Sequence, residues 1–343
     1  MTVSDVVAVE LLRFSLPFVA PIRTSYGEER SRQGTLVRAI TADGVEGWGE
    51  CAALARPDYH HEFADGAYLV LRDELAPALL SGTPLTPGNP MAQCALELAV
   101  LDARLRTAGT SLRQHFGATA TAVRACAVVG VGGAPPEGYT RLKVKIATLT
   151  DYHHVAALRA AVGDDVEIAV DANGAFDEQD IGGLRRFAEL DVLFIEQPFA
   201  TPIACELGVP ICLDESATSL ATMHAAIDAG AGSMISVKAA RLGGYDDAKR
   251  VHDAFADRGI PLWCGGMYDA GVSKAANLAL ATLPAFVGGD LAASDHYFAR
   301  DITKPFALDR DGLLALPDGP GLGVTPDPVV LADVVVERAM IRP

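Results

Sequence analysis

Between residues 141 and 244 the sequence delivers ionisable side chains at a regular interval. RLKVKI, VEIAVDANG, DVLFIEQP, VPICLDES and MISVKAARLGG follow one another as short apolar runs that end in charge, at Lys143, Lys145, Asp171, Glu196, Asp214 and Lys238. Each run has the length and β-branched content of a buried parallel strand. The last four of these residues are separated by 25, 18 and 24 positions. That spacing suits strand, crossover helix and strand, and returns the charges to one face of a (β/α) sheet or barrel.

Asp171, Glu196 and Asp214 then stand at the C-terminal ends of three successive strands, close enough to surround one ion. Packed carboxylates repel one another, and a hard divalent cation with oxygen ligands relieves the repulsion. Mg2+ suits the set because it favours octahedral oxygen coordination and keeps water positions open, with Mn2+ as its substitute; zinc would call for Cys or His companions. Helix capping or pairing with lysine is the ordinary account of any one such acid, and it accounts less well for three at successive strand ends. Asn173 either orients a ligand or water beside Asp171 or makes ordinary Asn-Gly turn chemistry.

The lysines complete a mechanism. Lys143 and Lys145, two apart, share one side of the second strand, and Lys238 ends the sixth strand across the barrel. Opposed amines around a metal-bound carboxylate suit chemistry at a carbon acid, in which one removes a proton and the other, with the metal, stabilises the enediolate. A Schiff-base lysine is the competing reading, and it needs no acid triad.

The elements that must position these residues are eight strands, VRACAVVGV, RLKVKI, VEIAV, VLFI, PICL, MISV, PLWC and FVGGDLA. Helical material separates most of them: YHHVAALRAAV, EQDIGGLRRFAEL, SLATMHAAIDAG, YDDAKRVHDAFADRG and VSKAANLALATL. The connection from Glu196 to Cys212 contains Pro198, Pro202 and Pro210, so its helix is short or absent. The expected fold is α/β, a TIM-like (β/α) barrel over residues 123–312 preceded by an α+β domain over 1–122, which the family resemblance described below makes a modified TIM barrel with an N-terminal capping domain. The Gly- and Pro-rich segment 313–343 returns to the capping domain.

Within that first domain, VVAVELLRFSLPF and TLVRAITADGVEGWGE read as an antiparallel meander turning at Asp43-Gly44. PIRTSYGEERSRQG, residues 21–34, reads as a mobile loop. EFADGAYLVLRDELAPALL makes one amphipathic helix, and a second runs from Pro90 to a stop at Gly109.

Composition limits the partners. The net charge of -16, from 44 acidic and 28 basic residues, argues against nucleic acid or an anionic membrane and leaves a small molecule. Six cysteines at 51, 94, 126, 205, 212 and 264 form no CxxC, no uncharged apolar run approaches membrane-spanning length, and the N-terminus lacks a signal-peptide pattern. A cytoplasmic location is therefore expected. GVGG at 130–133 and the glycines at 319–323 lack dinucleotide-binding spacing, and HExxH and GxSxG are absent.

The residues carry a strong resemblance to the enolase superfamily, and within it to the muconate-lactonizing subgroup of o-succinylbenzoate synthases and N-succinylamino acid racemases. GWGEC at 47–51, LKVKI, VDANG, IEQP, CLDES, VKAARLGG, WCGGM and GDLAASD ending at Asp295 fall in the family's order along the whole chain. The resemblance implies a (β/α)7β-like barrel closed by a cap to which both termini contribute, and a homo-oligomer, dimeric or octameric. It implies Mg2+ on Asp171, Glu196 and Asp214, Lys145 as the catalytic lysine of the second-strand pair with Lys143 supporting it, and Lys238 as its counterpart on the sixth strand. The loop around Arg23, Ser25 and Tyr26 and the cap segment from Glu50 through Cys51 to Ala52 resemble regions that fit the substrate, and Arg241 stands where the racemase branch also has Arg.

One departure is MYDAG at 267–271, where the family commonly has Met-Leu-Glu-Thr-Gly. Asp269 is shorter than Glu and reaches differently into the site, or supports Lys238 through another contact. The resemblance implies, first, an o-succinylbenzoate synthase that dehydrates 2-succinyl-6-hydroxy-2,4-cyclohexadiene-1-carboxylate, with Lys145 taking the proton and Lys238 stabilising the anion. The alternative is an N-succinylamino acid (N-acylamino acid) racemase using Lys145 and Lys238 as two bases, with Arg241 tuning Lys238, or one promiscuous enzyme with both activities. Dipeptide epimerisation comes third, because no acidic binder for a substrate amino group is identifiable. A non-catalytic binding module would not require both lysines and the triad.

Overall fold

Alternating burial along the N-terminal fifty residues builds a sheet first. In the computed structural model, which describes residues 5–24, 27–85 and 87–343, β1 (Val6–Thr24) pairs antiparallel with β2 (Gly27–Thr41), and β2 with β3 (Glu46–Glu50). The expected loop over 21–34 is mostly strand. After a register shift between Pro17 and Ile22 the β1–β2 ladder resumes at Ile22 opposite Glu29. The reason lies in Arg32, 1% exposed, whose guanidinium donates to Ala53 O at 2.8 Å and Cys51 O at 2.7 Å. A polar-looking run thus alternates Arg32 and Gly34 inward with Gln33 outward.

The helices of the cap follow. α1 (Ala64–Val70), a π-helical turn at Leu71–Leu75 and α2 (Ala76–Ser81) form the first expected helix as one continuous run. α3 (Pro90–Ala108) starts on its proline and stops at Gly109, φ 66°, and α4 (Leu112–Phe116) is capped by Ser111. α3 lies hard against β3: a Cβ at Gly49 would stand 1.9 Å from Ala95 O, so only glycine permits this approach.

The barrel strand expected over 123–131 divides in two. Its first part, β4 (Ala122–Arg124), pairs with β13 (Leu313–Ala315) outside the barrel, and β5 (Ala127–Val129) opens an eight-stranded parallel sheet. The sheet continues in chain order through β6 (Arg141–Lys145), β7 (Glu167–Asp171), β8 (Val192–Glu196), β9 (Ile211–Leu213), β10 (Met234–Val237), β11 (Leu262–Cys264) and β12 (Phe286–Gly289). It curls until Cys126 N donates to Leu291 O at 3.0 Å, linking its two ends.

The crossovers carry α5 (Asp151–Val162), α6 (Ile181–Leu184) between two 3-10 turns, α7 (Leu220–Asp228), α8 (Ala239–Leu242), α9 (Tyr245–Ala256) and α10 (Gly271–Leu280), and α11 (Ser294–Tyr297) follows β12. No helix stands between β8 and β9, as the prolines there require. α12 (Pro328–Val334) leads into β14 (Val335–Ile341), which pairs with β1 and so returns the chain to the capping sheet, in the order β14-β1-β2-β3. The fold is a modified TIM barrel capped by an N-terminal α+β domain. Among the described residues no helix is long and apolar enough to cross a membrane.

Cys126, Ala169, Phe194, Cys212, Met234 and Trp263 pack together as one apolar cluster, with the Phe194 and Trp263 rings edge to face at 5.0 Å. Three of them, Ala169, Phe194 and Cys212, precede Asp171, Glu196 and Asp214 by two positions. Period-two alternation therefore sends the acids into the same interior, one layer nearer the C-terminal rim.

Candidate active site

Strand register sets the charges level with one another. Lys145 is paired across the sheet with Asp171, and Asp171 with Glu196, while Asp214, Lys238 and Asp290 directly follow β9, β10 and β12. Lys143 Nζ lies 3.0 Å from Glu196 Oε2, 2.6 Å from Asp290 Oδ2 and 3.3 Å from Asp171 Oδ2. Lys145 Nζ donates to Asp171 Oδ2 at 2.6 Å and to Asn173 Oδ1 at 2.8 Å, and Asn173 Nδ2 donates to Glu215 Oε1 at 2.8 Å. Asn173 thus supports Lys145 directly, beyond any role in a turn.

Lys238 is held from two sides. Its Nζ donates to Asp214 Oδ2 and to the Tyr59 hydroxyl, both at 2.8 Å. Arg241 makes the same pair of contacts, 2.6 Å to Asp214 Oδ1 and 2.9 Å to Tyr59. β6 and β10 are four strands apart in a sheet of eight, so Lys145 and Lys238 face each other across the mouth. A Cβ at Gly265 would lie 2.5 Å from Lys238 Cγ, so glycine there leaves the lysine its room.

Burial and charge act against each other on every group. Burial alone would lower the lysines, and their carboxylates overcome it: Asp171 raises Lys145, Asp214 raises Lys238, and Asp290, Glu196 and Asp171 raise Lys143. Burial works to raise Asp214, yet Arg241, Lys238 and Lys143 together hold it below the usual carboxylate range. Glu196 is the exception. Burial, reinforced by Asp171, Asp214 and Asp290, lifts it well above that range despite Lys143, and its Oε1 is buried with no hydrogen-bond partner.

With every carboxylate ionised, the cluster would be one positive charge short. Asp171, Glu196, Asp214, Glu215 and Asp290 face four cations, Lys143, Lys145, Lys238 and Arg241. Backbone geometry is unusual here as well: among the described non-glycine residues with positive φ are Asn173 (45°), Gln197 (36°) and Tyr268 (56°), each just beyond a barrel strand. Such conformations persist where surrounding structure enforces them.

A cavity of about 1030 Å3, open mouth included, lies above these groups. Lys145, Lys238 and Asn173 line it with Tyr59, Arg56 and Tyr268. Tyr268 packs edge to face on Phe18 at 5.9 Å and on Tyr297 at 5.5 Å, forming an aromatic wall.

The remaining sequence candidates fall in different places. Asp269 lines the cavity, but its carboxylate accepts from Asn277 Nδ2 at 2.9 Å and Met267 N at 3.4 Å rather than from Lys238. Cys51 is buried in the cap core and its thiol is pushed up to about 12, chiefly by burial; it does not line the cavity. Ser25 and Tyr26 lie outside the described residues, as does the Arg23 side chain.

Asp290 and Tyr59 stand outside the sequence reading, and Glu50 enters it only within the cap segment. Asp290 ends an apolar run like the other strand-end charges, a signal that was available. Glu50 accepts from Ala270 N and Ser273 N, both at 3.0 Å, joining the cap to the start of α10. Tyr59 gave no signal, because its partners lie 179 and 182 positions away. Separately, His60, His61 and Glu62 bring their ligand atoms within 4.8 Å of one another on the cap loop, a candidate metal-coordinating cluster apart from the barrel carboxylates.

A curled eight-stranded parallel barrel, capped over a mouth where lysines and carboxylates interleave, is the catalytic fold of the enolases. The sequence model described as Enolase C-terminal domain-like matches residues 133–330. An N-succinylamino acid racemase from Amycolatopsis sp. is 43% identical, the match covering 97% of this chain and 98% of that protein. An o-succinylbenzoate synthase from Geobacillus kaustophilus is 35% identical, with 93% of each covered. A crystal structure of an enolase superfamily member from Listeria innocua superposes with a TM-score of 0.90 at 33% identity, covering 98% of this chain and 99% of that one. The chain belongs to the enolase superfamily, in the muconate-lactonizing subgroup that holds both activities. It is an enzyme of that superfamily acting on a carboxylate substrate.

Proposed function

We propose that the chain is an N-acylamino acid racemase for N-succinylamino acids, moving the α-proton between Lys145 and Lys238. The observation that carries this reading is two amines on opposite walls of one cavity, bound to different carboxylates and to different neutral polar side chains. The 43% identity to a racemase supports the same order of preference. Dehydration, expected first from the sequence, becomes the second reading; it is favoured by relatives named as o-succinylbenzoate synthases at 34–36% identity.

Asp171, Glu196 and Asp214 would hold Mg2+, or Mn2+ in its place. The fit rests on an all-oxygen donor set, the unpartnered Glu196 Oε1 and the excess negative charge. Bound there, the ion supplies fixed positive charge for the substrate carboxylate and for the enediolate it becomes.

The rest falls to side chains. Lys145 takes the proton from one face of the α-carbon and Lys238 delivers one to the other, and the roles exchange for the opposite enantiomer. Arg241 neutralises the same carboxylate that holds Lys238 and itself repels the ammonium, which eases loss of its proton. Lys143, locked between Glu196, Asp171 and Asp290, stays charged and stabilises negative charge on substrate oxygen.

The test is a parallel assay of Mg2+-loaded protein. Exchange at the α-carbon of N-succinyl-L-amino acids in deuterated water, followed by NMR, should outpace loss of the cyclohexadiene absorbance; the reverse ranking would assign the synthase.

A further inference from the structure

The loop that brings Tyr59 to Lys238 continues directly into His60, His61 and Glu62. We propose that these three side chains hold a second ion, a borderline divalent transition metal of the Zn2+ class, and that its binding acts on the Lys238 side of the active site through Tyr59.

The donor set selects the ion. Two imidazoles and one carboxylate suit Zn2+ and its neighbours, whereas Mg2+ prefers oxygen alone. His61 Nε2 lies 2.9 Å from Gly88 O; only an N–H can donate to a carbonyl, so in the neutral ring Nδ1 has the lone pair, the arrangement in which metal-binding histidines are commonly oriented. His60 Nδ1 accepts from Glu62 N at 3.2 Å and lies 3.6 Å from Glu62 Oε1, so the neutral ring carries its hydrogen on Nε2 and an ion has to take Nδ1 from that long backbone contact.

Glu62 completes the set. Its oxygens accept one backbone N–H each, from Met91 at 2.8 Å and Ala92 at 3.0 Å, which anchors the carboxylate and leaves each oxygen further lone pairs. The group is 4% exposed, so a cation beside it relieves the cost of burying a carboxylate.

Binding has a mechanical consequence. Donors around Zn2+ stand roughly 3.4 Å apart; these lie within 4.8 Å of one another, with His60 Nδ1 3.6 Å from Glu62 Oε1. The ion therefore fixes the spacing of the donors and with it the loop, whose preceding residue is Tyr59, which accepts from both Lys238 and Arg241.

The experiment titrates Mg2+-saturated full-length protein with Zn2+ against a chromophoric chelator and reads its coordination by X-ray absorption. We expect one Zn2+ per chain in a nitrogen and oxygen shell, weakened roughly tenfold or more in His61→Ala and in His60→Ala. Glu62 is left intact because it anchors α3. Unchanged affinity in both variants, sulfur in the shell, or no bound Zn2+ would overturn the site. This binding arm does not depend on which reaction the enzyme performs. The coupling arm rests on the proposed racemase reading: Zn2+ should slow α-proton exchange in the parent protein and leave His61→Ala unaffected. Stoichiometric binding without a change in exchange would overturn the coupling while leaving the site.

Discussion

The two sides of the barrel mouth are built differently. Lys145 is held by barrel residues alone, Asp171 and Asn173, with Glu215 behind the latter. Lys238 shares Asp214 with Arg241, and both cations reach the hydroxyl of Tyr59, a residue of the cap. One amine thus answers to the barrel, and the other answers to the cap as well. Changes in the cap should therefore separate the two proton transfers, and with them racemisation, which needs both amines as bases, from dehydration, which needs only Lys145 in that role.

Removing either amine is the most severe way to break the comparison. Lys145→Ala and Lys238→Ala should each lower racemisation about 10³-fold, the usual weight of a positioned acid or base, as measured by polarimetry. Arg241→Met sharpens it. With the guanidinium gone, Lys238 should hold its proton more tightly, lowering racemisation about tenfold and sparing dehydration; equal losses in both assays would remove Arg241 from the account.

Tyr59→Phe and Asn173→Ala form a matched pair. Each deletes one hydrogen bond to a charged amine, with an expected loss of about tenfold or less. The first should fall on the Lys238 transfer and the second on the Lys145 transfer, which exchange kinetics on each enantiomer would distinguish.

The least effect concerns how the cap is fastened. Burial, reinforced by Asp269 and opposed by Arg32 and two backbone N–H groups, raises Glu50 from 4.5 to about 7. Because the folded value lies above the unfolded one, its stabilising contribution is complete below pH 4.5 and is lost as pH rises through about 7. Glu50→Gln should flatten that part of the profile of melting temperature against pH.

The same contrast explains what was legible in the sequence. Barrel strands announce themselves by β-branched runs, and their charges recur at strand ends, so Lys143, Lys145, Asp171, Glu196, Asp214 and Lys238 could be read from spacing. Asp290 obeyed the same rule and was passed over. The cap's contributions are not periodic. Tyr59 sits in a loop with nothing in RPDYHHE to single it out, and Glu50 was seen as part of a motif without its role at α10. The polar run of the β1–β2 ladder looks like a loop only if residue type is equated with exposure, whereas Arg32 is buried and spends its donors on cap carbonyls. Likewise Cys51 was placed by its neighbourhood to the substrate region, and the fold turned its thiol into the cap core.

The central claim is that two opposed lysines each serve one face of the α-carbon. It is tested most directly by following α-proton exchange in deuterated water for N-succinyl-L- and N-succinyl-D-amino acids with Lys145→Ala and Lys238→Ala. The account predicts that each variant loses exchange on one enantiomer and keeps it on the other, with the assignments reversed between the two. Loss of exchange on both enantiomers in both variants, or on the same enantiomer in each, would contradict it.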